Sequence, residues 1–155
     1  MAEDMRETIA NAAKTLLFDK KVRKLTVKDI VEECHITRQT FYYHFEDIPD
    51  LMAWSLRRNF DRVIAQCQTQ KNGEEALRYL LSAAVNARPM LKKGMQSNYG
   101  EELERQLEGL LMDFLSRVAA SCGLYARVSA REAELLLRYH CGGVLFLLRD
   151  WKEQD

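Results

Sequence analysis

The chain is expected to fold as an all-α protein, and three observations support this. Two prolines and seven glycines among 155 residues leave little punctuation between elements. No stretch alternates apolar and polar residues with period two, while apolar positions recur at helical spacing along most of the chain. Helix-start signatures also precede several of these periodic runs, as at Thr26 and Ser129.

The first element is read as a helix from about Glu3 to Asp19, with Met5, Ile9, Ala13, Leu16 and Leu17 on one face. Thr26-Val27-Lys28-Asp29 is a Ser/Thr-x-x-acid start in which the threonine oxygen caps orphan amides. Val27, Ile30, Val31 and Cys34 then form a core-facing stripe. His35-Ile36 makes a turn, and Thr37 caps the next helix, with Ile36 and Phe41 placed as a hydrophobic staple. With Ile36, Phe41 and Phe45 inward, Arg38, Gln39, Tyr42 and Tyr43 form one outward patch, because residues four apart are neighbours on a helix.

Such a patch suits the second helix of a helix-turn-helix, whose N-terminal residues reach base edges in the major groove of double-stranded DNA. Arginine pairs bidentately with guanine, and glutamine with adenine. Tyrosine hydroxyls and His44 reach phosphates, which set register. The candidate DNA-contacting set is Thr26, Lys28, Thr37, Arg38, Gln39, Thr40, Tyr42, Tyr43 and His44. Basic and acidic residues number 23 each, so the whole chain has no general affinity for polyanions. Between Lys14 and His44, however, seven basic residues face four acids, a local excess of +3.

After this head, Asp47 and Asp50 bracket Pro49 at the start of a long helix ending near Gln68, followed by a polar break at Thr69–Gly73. A helix from Glu74 to Arg88, with Leu77, Leu80, Leu81 and Ala84 on one face, is expected to stop at Pro89. A short segment reaches Gln96, and Ser97–Gly100 is a loop. Glu101 to Cys122 carries Leu103, Leu107, Leu110, Leu111, Phe114 and Val118, with Gly123 placed for a left-handed cap. Ser129 and Glu132 form a capping box for a last helix to about Trp151. That helix is apolar nearly all round, which predicts burial on more than one side. Gly142 and Gly143 in its middle cost about 1 kcal/mol each relative to alanine, and close approach by another helix offsets this.

Cys34, Cys67, Cys122 and Cys141 form no C-x-x-C pair and read as buried free thiols of a reducing, cytoplasmic compartment. No apolar run reaches the roughly 18 residues of a membrane span. There is no glycine-rich phosphate loop, nucleophile–base spacing or metal-ligand set, so neither an enzyme nor a cofactor is expected.

The stretch from Ile36 to Phe45, ITRQTFYYHF, resembles the recognition helix of the tetracycline-repressor (TetR/AcrR) family of bacterial transcriptional regulators. Leu25-Thr26-Val27 and Asp29-Ile30-Val31 also fit, and the resemblance covers about residues 5 to 52. The run on to Leu51 is most similar to the branch that includes activators of dihydroxyacetone-kinase operons. The resemblance implies a helix-turn-helix DNA-binding domain over 1–47 and a helical regulatory and dimerisation domain over 48–155. It further implies a homodimer on operator DNA, controlled by a small-molecule effector or a kinase-like co-regulator protein. A protein-interaction adaptor with little DNA binding is the alternative.

Two residues depart from the family pattern. His35 stands where glycine is usual, and Ile48 where a phosphate-contacting lysine is common. Family bodies also continue with one more helix, so this chain is either a short form or truncated. Arg88, Asn98, Tyr99, Tyr139 and His140 are the candidate polar groups of an effector pocket, with residues 89–100 as its gate.

Overall fold

Seven helices and no strand occur among the described residues: α1 (Ala2–Phe18), α2 (Val27–Cys34), α3 (Arg38–His44), α4 (Ile48–Gln68), α5 (Gly73–Met95), α6 (Gly100–Ser121) and α7 (Ala130–Asp150). The computed structural model describes residues 2–121 and 123–150; Cys122 and Trp151, named above, lie outside them, as does the side chain of Leu77. The chain divides into two units, residues 1–103 and 104–155.

In the first unit, α1, α2 and α3 pack around one apolar cluster, and α1 also meets α4 and α5. The stripe expected on α1 supplies Ile9, Ala13, Leu16 and Leu17 to the cluster, and Leu25, Ile30, Phe41, Phe45 and Leu51 are almost completely enclosed. Ile48 belongs to the same cluster. Ile48 is therefore a core side chain at the first turn of α4, where it adds apolar burial to the head.

The helix starts follow the chemistry of their caps. Asp29 N donates to Thr26 Oγ1, while Thr26 N donates back to Asp29 Oδ2, which completes the capping box of α2. Asp47 and Asn72 cap α4 and α5 in the same manner, through Asp50 N and Glu75 N. Ser129 and Glu132 close the box that opens α7. Gly123, at φ 62°, takes the left-handed conformation expected after α6.

His35 occupies the left-handed region at the end of α2, with φ 56° and ψ 40°. Its backbone N–H still satisfies the helix end through Glu32 O. A β-carbon is strained there, so His35→Gly should raise stability by about 1 kcal/mol. Urea denaturation followed by circular dichroism checks this.

Some expectations fail. Pro89 does not end a helix: α5 continues through it to Met95. A proline inside a helix removes one hydrogen bond and crowds the preceding turn. Here the residues beyond it have their own anchorage, since Leu91 is buried and a β-carbon on Gly94 would come 2.5 Å from Leu103 Cδ2. Close packing of this last stretch outweighs the local break. The thiols are also less enclosed than expected, since Cys34 and Cys67 are only half-buried and Cys141 alone of the described cysteines is buried.

In the second unit Leu107, Leu111, Ala119 and Cys141 are buried. The Cys141 thiol lies 3.8 Å from Glu108 O, and Arg149 pairs with Glu104 at 3.5 Å, which brings α7 against α6. The other expectation for α7, burial on several sides, is not met within one chain. Leu135, Leu136, Tyr139, Phe146 and Leu147 are exposed, and a β-carbon on Gly142 or Gly143 would meet nothing within 4 Å. No helix of the described residues is long and apolar enough to cross a membrane.

Candidate nucleic-acid interface

Helix α3 begins at Thr37, whose Oγ1 accepts from Thr40 N at 3.1 Å and lies 2.9 Å from Thr40 Oγ1. Phe41 then turns fully inward, which obliges its neighbours to turn out. Arg38, Gln39, Tyr42 and Tyr43 are all exposed, with 55% of Tyr42 and 82% of Tyr43 in solvent. Tyrosines so open to water leave apolar ring faces unburied. Tyr42 is steadied by an edge-on contact with Phe41, and Tyr43 by one with His44.

The remaining candidates divide by what they already do. Thr26 is half-buried and its hydroxyl is engaged with Asp29, so its role in the isolated chain is to cap α2. Lys28 is exposed and lies 3.8 Å from Glu32 one turn on, a weak surface pair that leaves the ammonium accessible. His44 is partly covered, and its carbonyl accepts from Arg6 of α1 at 2.9 Å.

That Arg6 contact is part of a brace. Its guanidinium stands 5.1 Å from the Phe45 ring centre and 6.0 Å from that of Trp54, with Arg58 at 5.3 Å from the same indole. Glu7 joins Arg58 and Arg62 of α4, and the Arg58 hydrogen bond, with the Arg62 charge beside it, holds its carboxyl below the usual carboxylate range. The C-terminal end of α3 is thus capped by α1, which is pinned to α4. Sequence spacing gave no hint of this arginine–aromatic stack, because its members lie on α1, on α4 and at the residue that ends α3.

A second brace comes from the connection between α5 and α6. Asn98 accepts from Leu25 N at 3.0 Å and donates to Leu25 O at 3.5 Å, so one amide grips the backbone just before α2. Lys93 Nζ donates to Phe18 O at 2.9 Å, at the end of α1, and Tyr99 packs on the head cluster. Asn98 and Tyr99, expected in an effector pocket, are instead fastened to the head. Tyr139 and His140 are exposed on α7, and Arg88 is half-buried, its Nε without a partner among the described residues.

A turn closed by a left-handed residue, a second helix presenting Arg, Gln and two Tyr, and a first helix bracing it define a helix-turn-helix domain. Residues 9–53 match the family described as "Bacterial regulatory proteins, tetR family", and this segment is therefore a tetR-type N-terminal domain. Over 59 residues the chain is 32% identical to the HTH-type dhaKLM operon transcriptional activator DhaS of Lactococcus lactis subsp. lactis (strain IL1403), covering 38% of this chain and 32% of that protein. No solved structure matches.

Proposed function

We propose that this protein is a bacterial transcriptional regulator that binds operator DNA as a dimer and whose affinity is set by an effector at residues 48–155. The observation that carries the reading is the exposed Arg38-Gln39-Tyr42-Tyr43 face on a braced helix within a tetR-type domain. Arg38 and Gln39 read bases; Tyr42, Tyr43 and His44, with Lys28 and the Thr37–Thr40 turn, position the helix on phosphates. Thr26 contributes mainly through its cap. Ile48 supplies no charge, so the salt dependence of binding is shallower by about one phosphate contact than with a lysine there. A gel shift with the promoter DNA upstream of the chain's own gene tests the reading; absence of any retarded species at low salt would favour the adaptor alternative.

The dimer reading rests on α7. Tyr139, Gly142, Gly143 and Phe146 lie along an open apolar surface, and the glycines leave room for a second backbone. Gly143→Leu should improve the isolated helix by up to about 0.8 kcal/mol while obstructing that approach. The expected result by sedimentation is a shift toward monomer without loss of fold; an unaltered dimer would place the interface elsewhere.

A further inference from the structure

Between α1, α4 and the last turns of α5 lies a cavity of about 190 Å³. Leu17, Met52 and Leu91 form its floor, and Lys14, Asn59 and Arg62 stand at its rim. A dry cavity of about 150 Å³ holds benzene, so this one accommodates a ring with a small substituent. Its charge is one-sided. Glu7 is the acid among its lining residues and is shared by Arg58 and Arg62, whereas Lys14 has no ion pair among the described residues, leaving a net +2. The cavity runs into a wider groove that shares Lys14, Asn59 and Arg62 and adds Lys93. An apolar floor under a cationic rim selects one kind of guest: an apolar body ending in a single anionic group.

We infer that this cleft binds a small amphiphilic monocarboxylate, with an apolar part about the size of one benzene ring seated on the floor and its carboxylate beside Lys14. The inference rests on the effector-controlled reading above, extends the effector site from residues 48–155 onto α1, and gives it a ligand class. Such a guest touches α1, α4 and α5 together, and these helices carry Arg6, Trp54 and Lys93, which hold the recognition helix and the end of α1. A ligand preferring one arrangement of these three helices changes DNA affinity by that preference and no more.

The test titrates benzoate, with benzyl alcohol as its neutral match, into the full chain by calorimetry. Promoter binding is measured separately with and without each compound. Benzoate should bind saturably and more tightly than benzyl alcohol. Lys14→Gln should weaken benzoate about fivefold, the scale of one exposed ion pair, and leave benzyl alcohol unchanged. Ala10→Phe, which fills the cleft from α1, should abolish both while the circular dichroism spectrum stays helical. Absence of saturable benzoate binding by a chain that still retards its promoter would overturn the inference and leave the regulator reading standing. Binding indifferent to Ala10→Phe would overturn it as well, and so would binding that leaves promoter affinity unchanged. If benzoate follows the expected pattern but no promoter fragment is ever bound, the cleft assignment holds and the regulator reading falls.

Discussion

Phe41→Ala should destabilise the first unit by about 3–5 kcal/mol, because the ring is fully enclosed and its removal leaves a cavity the head cannot fill. Whole domains are stable by only about 5–15 kcal/mol, so much of the margin disappears. Phe41 touches Phe45 at 6.0 Å between ring centres and Tyr42 edge-on at 5.4 Å. Its loss therefore loosens both the end of α3 and one of the exposed tyrosines. Urea denaturation should show the lowered midpoint, and promoter binding should fall in parallel. Tyr42→Phe is the control: it lies on the same helix but is exposed, and its stability should remain within about 0.5 kcal/mol of the parent. An equal loss for both variants would mean that α3 is not anchored through Phe41.

Arg38→Ala should have the converse signature, with stability unchanged and reading impaired. Arg38 is exposed and makes no ion pair among the described residues, so its removal leaves no buried partner stranded. On DNA, a bidentate arginine–guanine pair is worth about 1–3 kcal/mol of discrimination, or roughly 5- to 150-fold in affinity. The loss should concentrate at one base pair, so that binding to a site mutated there is nearly the same for variant and parent. Tyr42→Phe should instead weaken all sequences about equally. If Arg38→Ala kept the full operator preference, the reading face would have to be reassigned.

The head was readable in advance because its signals are local. Thr26 with Asp29, Thr37 with Thr40, and the inward Ile36–Phe41 pair each act within one or two turns, and all are in place. Gly123 and the Ser129–Glu132 box were equally legible. The failures share a different cause. Pro89 read as a stop because its cost is local, whereas the packing of Leu91 and Gly94 that carries α5 past it is tertiary. Ile48 read only as a missing charge, since nothing in its neighbours announced a core position. Asn98 and Tyr99 looked like ligand donors because a polar residue in a loop carries no mark of the backbone it grips 73 positions away. The exposed face of α7 is a different case, because an apolar pattern states that a surface avoids water and not which chain covers it.

That 73-residue separation between Leu25 and Asn98 has a consequence for the birth of the protein. A ribosome delivers α3 well before the connection that holds the front of α2. At about 5–20 residues per second, the roughly 50 residues from the end of α3 to Asn98 take about 3–10 s to emerge. During that interval the reading helices lack the Asn98 grip, the Lys93 tie to the end of α1 and the packing of Tyr99. The nascent chain is thus expected to display its recognition sequence early and acquire the finished geometry late, once α5 has been completed and docked. The finished geometry of the head then arrives as a property of the first hundred residues together, and a fragment ended at the matched 9–53 segment would lack part of the framework that holds it.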